Sequence, residues 1–165
     1  MPITLARTEP PRLDWHRHTA PPATSFELPA AAVPRDADFV VLQGAYRDRG
    51  GIARGDNLAA RLRMAGRGGY LDLARRIVAG QLFSFRWHDS IWLPMFQFDA
   101  DLLTLREGPR RVLDELHGVF DGWDLAQWHV RPHDDLHGQR PLDLLDSDLS
   151  AVLAAARADH HAIDG

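Results

Sequence analysis

The sequence predicts a mainly α-helical protein: a helix-turn-helix-like module with a small β-hairpin, followed by a compact C-terminal helical domain. Three observations lead there. Residues 55–65 and 70–80 space their apolar side chains at helical intervals on either side of a glycine-rich join. The stretch "LFSFRWHDSIWLPMFQF" at 82–98 alternates apolar and polar residues about "HDS", the pattern of a hairpin. From 99 to 165 the helical spacing returns.

Residues 1–38 read as a proline-rich arm or leader. They hold seven of the eleven prolines, Pro2, Pro10, Pro11, Pro21, Pro22, Pro29 and Pro34, which rules out a long helix. Trp15, Phe26 and Leu28 are the side chains available to dock it. Residues 39–98 form the helix-turn-helix/wing-like module. Its opening run "FVVLQGAY" fits either a strand or a first helical turn. In "GDNLAARLRMA", Leu58, Leu62 and Ala65 share a face, Asp56 or Asn57 caps the start, and Gly66, Gly68 and Gly69 stop the helix. In "YLDLARRIVAG", Leu73, Ile77 and Val78 form the apolar stripe, with Arg75 and Arg76 projecting from it. Phe83, Phe85 and Trp87 alternate along the first hairpin strand. Ile91–Phe98 returns as the second, which Pro94 makes an edge strand or ends early. Helix, turn, helix, hairpin is the order of a small winged helix.

Residues 99–165 form the helical third. Gly108 and Pro109 start a helix with Val112, Leu113, Leu116, Val119 and Phe120 facing inward. "DGWDLAQWHV" is a short helix, Pro141 opens another, and Ser147 caps a last helix lined by Leu149, Val152, Leu153 and Ala156.

Composition excludes several chemistries. Without cysteine there is no disulfide, thiolate zinc site or cysteine nucleophile. All nineteen basic residues are arginine, so no lysine serves as a Schiff base or phosphate clamp. No run of apolar residues is long enough to span a membrane and the N-terminus lacks a secretory pattern, so a cytoplasmic protein is expected.

Charge is unevenly spread. Residues 61–98 carry six Arg against two acids, net +4, and residues 99–165 carry six Arg against fourteen acids, net −8. Two surfaces with different partners would produce this, as would an uneven solvated surface. Arg61, Arg63, Arg67, Arg75, Arg76 and Arg86 are the candidate phosphate contacts for promoter DNA.

The segment "WHVRPHDDLHGQRPLDLL" at 128–145 places His129, His133 and His137 at four-residue intervals. On one helix they would share a face, but Pro132 and Gly138 break the register, so no metal is expected. "HExxH", "GxSxG" and "GxxxxGK" are all missing, and neither a catalytic residue nor a cofactor is assigned.

The span "FDGWDLAQWHVRPHDDLHGQRPLDLLDSDLSAVLAAARA" resembles the toxin-binding domain of Xre/MbcA/ParS antitoxins. Trp123, Trp128, Pro132, Leu136, Gly138, Pro141, Asp143, Leu144, Leu145 and Arg157 match that family's frame. His133 stands where Asn is usual, and His129 where an aromatic or aliphatic residue is usual. The likeness is good over 92–158, weaker over 55–91 and absent over 1–50. It implies an antitoxin whose C-terminal part blocks a cognate toxin, commonly a RES-domain enzyme that consumes NAD. Its N-terminal part would bind promoter DNA and mediate a homodimer. The candidate toxin-binding residues are Asp134, Asp135, His137, Arg140, Arg157, His160 and His161. The alternative is a DNA-binding transcriptional regulator without a toxin partner.

Overall fold

The computed structural model describes Pro34–Gly165, which form one compact unit. The expectations for the proline-rich arm, including Trp15, Phe26 and Leu28, lie outside the described residues except at its end. There the first helix, α1 (Asp36–Tyr46), starts two residues before the expected boundary at 38. The Asp38 carboxylate explains the early start, because it accepts the Arg35 backbone N–H at 2.8 Å. Phe39, Leu42 and Tyr46 are buried at helical spacing, so "FVVLQGAY" is helix rather than strand.

A three-residue strand, β1 (Ile52–Arg54), follows. Next come α2 (Gly55–Met64), α3 (Tyr70–Val78) and the hairpin β2 (Phe85–Trp87) with β3 (Ser90–Pro94). The sheet is antiparallel in the order β1-β3-β2, with Ala53 opposite Leu93 and Arg86 opposite Ile91. His88 takes a φ of 50° at the first position of the two-residue turn, as such tight hairpin turns demand.

Several local expectations are corrected. β3 is the central strand, not an edge, and Pro94 is tolerated because it is the last residue of the strand. The strand does not run on to Phe98, since Met95–Gln97 turn as a 3₁₀ helix. Buried Gln97 makes this turn possible: its Oε1 accepts the Phe83 N–H at 2.8 Å, and its Nε2 donates to the Phe83 and Pro94 carbonyls. Arg54, not Asp56 or Asn57, precedes α2. Val78 leaves the apolar stripe of α3 and is 89% exposed.

Four helices complete the unit: α4 (Glu107–Glu115), α5 (Gly122–Val130), α6 (Pro141–Leu144) and α7 (Leu149–Asp164). Arg106 precedes α4, so Gly108 and Pro109 fall inside its first turn, and Val119 and Phe120 lie beyond its end, half-buried. The cap of α7 is Asp148 rather than Ser147, accepting the Ala151 N–H at 3.1 Å.

The core is continuous across residues 98 and 99. Phe39, Tyr46, Phe83 and Phe96 pack in the same cluster as Leu116, Trp128, Leu142 and Val152. Two contacts fasten the parts. The buried Tyr46 hydroxyl donates to the Ala126 carbonyl of α5 at 2.8 Å. Gly122 lies so close to the hairpin that a Cβ there would sit 1.9 Å from the Ser84 carbonyl oxygen. A smaller cluster of Leu58, Leu62, Leu73, Leu82 and Leu93 holds α2 and α3 against the sheet. No described helix is long and apolar enough to cross a membrane.

Candidate functional site

α3 is the most exposed helix of the first module. The Asp72 carboxylate accepts the Gly69 N–H at 3.1 Å and so satisfies one free donor at the helix start. Leu73 is buried and Ile77 half-buried, which turns Tyr70, Leu71, Arg75 and Val78 to solvent. α2 and α3 pack against each other through Leu58, Leu62 and Leu73, and the hairpin follows, completing a helix–strand–helix–helix–hairpin order.

The six arginines at 61–86 are all exposed. Arg75 lies 3.7 Å from Asp72. Arg61, Arg63, Arg67, Arg76 and Arg86 make no side-chain hydrogen bond or ion pair among the described residues. They do not all share one surface. Arg67 and Arg76 line a cavity of about 220 Å³ with Leu103 and Leu105. Arg61 instead borders a separate cavity of about 400 Å³, beside Arg49, Phe96, Asp99 and Arg106. Arg86 stands on β2, on the strand face opposite Phe85.

The three histidines have unrelated surroundings. His129 is buried among Phe83, Phe96 and Trp128, with its ring stacked on Phe83. Its Nδ1–H donates to the Leu125 carbonyl at 2.7 Å, while Nε2 is buried without a partner among the described residues. Burial lowers its pKa to about 4, against which the Leu125 bond acts weakly, so the ring is neutral at pH 7. His133 accepts the Asp135 N–H at Nδ1, which leaves Nε2–H to donate to Asp159 at 2.9 Å. His137 is exposed with a φ of 56°. Among the described residues no group of three or more His, Asp or Glu side chains is placed to hold a metal.

The "PHDDLHGQRP" frame folds as one closed turn. Asp134–Leu136 form a 3₁₀ turn, the His133 and Gln139 backbones bridge, and Leu136 is buried beneath. Positive φ at His137 and Gly138 reverses the chain, and Pro141 opens α6. Asp134, Asp135 and His137 form the exposed tip. Asp159 ties this turn down from α7, since it also accepts the Trp128 indole N–H at 2.6 Å. Sequence reasoning does not single out Asp159, because its only signal is an acid on a helix whose neighbours are not yet known.

The other candidate partner-binding residues are already engaged. Arg140 makes a two-pronged pair with Asp143 at 2.6 and 2.8 Å. Arg157 binds Glu115 at 2.7 Å. The His160 Nδ1–H donates to the Glu115 carbonyl, and the His161 Nδ1–H to the Arg157 carbonyl. Arg157, His160 and His161 line a cavity of about 350 Å³ with Asp114 and Asp164. The seven candidates therefore divide into a turn group, 134–140, and a group between α4 and α7.

Comparison with protein-family models, curated proteins and solved structures returns no match for this chain.

Proposed function

We propose that this chain is an antitoxin-like regulator. Its first module binds duplex DNA, and its helical C-terminal third binds a partner protein, a toxin of the class bound by the antitoxins its sequence resembles, and blocks that partner's activity. The observation that carries the reading is one compact unit with two opposite charge regimes. Among the described residues the arginines between 61 and 86 make no side-chain hydrogen bond, whereas the C-terminal third is acidic and holds most of its arginines in internal pairs. Free guanidinium groups on an exposed helix and hairpin suit phosphate contacts. An acidic surface suits an enzyme whose pocket is basic because it holds a nucleotide's phosphates. The partner needs only to be covered, so no chemistry is required of this chain.

Co-expression of the full chain with the product of the neighbouring gene tests the antitoxin half. Growth arrest by the neighbour alone, relieved by the full chain but not by the exposed Asp134→Arg/Asp135→Arg variant, is the expected result. A neighbour that is harmless alone, or arrest that persists beside soluble full-length chain, overturns it.

The internal engagement of Arg140, Arg157, His160 and His161 favours a second reading, a DNA-binding regulator with no toxin partner. Salt-dependent DNA affinity in the absence of a toxic neighbour would identify it.

A further inference from the structure

Two arginines with no carboxylate in the lining share the cavity of about 220 Å³. Arg67 follows the end of α2, Arg76 stands on α3, and neither makes a side-chain hydrogen bond or ion pair among the described residues. Phe98, Leu103 and Leu105 give the cavity an apolar wall that belongs to the smaller core, and Thr104 is its one hydroxyl-bearing residue. The backbones of Phe98 and Leu105 bridge, so the chain between them closes as a loop that holds Leu103 and Thr104 at the cavity. Asp99, although next to Phe98, is not in the lining: its Oδ1 accepts the Asp101 and Leu102 N–H groups at 3.0 and 2.8 Å.

Other cavities lined by an arginine also contain an acid: Asp99 with Arg61, Asp124 with Arg131, Glu115 with Arg157. Two guanidinium groups at one apolar-walled cavity repel each other, and the wall weakens the screening that water gives. An anion between them removes the repulsion and gains charge-assisted hydrogen bonds. A phosphate monoester carries a charge of about −2 at neutral pH, which matches two arginines, and guanidinium forks fit phosphate oxygens in pairs. The apolar wall sets a second requirement, which inorganic phosphate does not meet. We infer that this cavity binds a small phosphate monoester with an apolar ester group, Arg67 and Arg76 holding the phosphate and Phe98, Leu103 and Leu105 packing on the ester group. The cavity is smaller than the ~300 Å³ at which drug-sized pockets begin, which limits the ester group to roughly one ring. A backbone phosphate of DNA carries a single charge between two polar sugars and would leave the apolar wall unused. This role is separate from the DNA contacts proposed above and does not depend on them.

Phenyl phosphate is the probe, titrated calorimetrically into the full chain beside inorganic phosphate, phenol and a short DNA duplex. It is expected to bind at least about tenfold tighter than phosphate or phenol, since a buried ring and a paired dianion each contribute on that scale. Arg67→Ala/Arg76→Ala changes only exposed side chains and should weaken phenyl phosphate at least about tenfold. Arg47→Ala/Arg111→Ala removes the same charge at exposed positions outside the lining, and should leave the affinity unchanged. Equal affinity for phenyl phosphate and inorganic phosphate overturns the inference, because the apolar wall then selects nothing. An equal loss in both double variants overturns the assignment to this cavity. A duplex that binds through Arg67 and Arg76 while phenyl phosphate does not bind makes the two arginines DNA contacts only, which overturns the inference and leaves the DNA reading standing.

Discussion

Among the described residues, the arginines between 61 and 86 extend into solvent without partners, apart from Arg75 near Asp72. Those between 106 and 157 are mostly held: Arg106 by Asp146 and the Phe96 carbonyl, Arg110 by Glu107 and Asp114, Arg131 by Gln127, Arg140 by Asp143 and Arg157 by Glu115. The residue type is the same in both regions, and the local ratio of acids decides its state. Two acids among six arginines leave guanidinium forks free, whereas fourteen among six leave carboxylates in excess. A free fork gives up only solvent and counterions on meeting phosphate, while a held one must first release a carboxylate. On the proposed reading the first region meets a polyanion at low cost, while the second keeps an excess of exposed carboxylates, Asp134 and Asp135 among them.

The regions differ in charge yet share a core, and the largest expected effect comes from breaking that union. Gly122→Ala sets a Cβ against the Ser84 carbonyl, where backbone, not a flexible side chain, would have to move. A destabilisation of at least ~2 kcal/mol is expected in urea unfolding, with one transition. Two transitions would show that the regions fold separately. By the same argument residues 99–165 alone would lack the Tyr46, Phe83 and Phe96 side of their core.

His129 gives the next effect. Folded chains keep its ring neutral down to about pH 4, whereas unfolded chains take up a proton near the ordinary 6.5. The unfolded state binds more protons between those values, so stability is full above the window and falls as pH drops through it, by about 3 kcal/mol from this group. His129→Phe should remove that part of the slope and leave stability at pH 8 nearly unchanged. An identical pH profile in the variant would contradict the buried neutral ring.

Asp159→Ala should cost about 1–2 kcal/mol, since it strips the Trp128 indole and the His133 ring of their common acceptor. Backbone amide exchange should quicken at Leu136–Gln139 but not in α3. Faster exchange in both would mean that the turn and α3 are coupled.

Much of this fold is legible in the sequence because it is local. The apolar spacing of Leu58 and Leu62, the alternation of Phe83, Phe85 and Trp87, and Pro141 at a helix start all act over a few residues. β1 is not legible, because three residues carry no periodicity and only pairing with a strand some forty positions on makes them a strand. Val78 shows a second limit: helical spacing alone does not say where the neighbouring surface ends. His129 and Asp159 show the same limit at the candidate site. Within "HVRPHDDLH" the regular interval draws attention to three histidines, but one fills the core, one is tied to an acid 26 residues away, and one sits at an exposed turn. The arginines are legible but their grouping is not, since Arg61 faces a different cavity from Arg67 and Arg76.

The difference between free and held arginines is tested most directly by salt. Binding of the full chain to its own promoter duplex is measured over a range of salt concentrations for the unsubstituted protein, for Arg67→Ala/Arg75→Ala/Arg76→Ala/Arg86→Ala, and for Arg140→Ala/Arg157→Ala. The first variant should lower the slope of log affinity against log salt by about one unit for each phosphate it no longer neutralises, roughly three to four in all. The second should leave the slope unchanged. Equal slopes for all three proteins, or a larger drop in the second variant, would contradict the account.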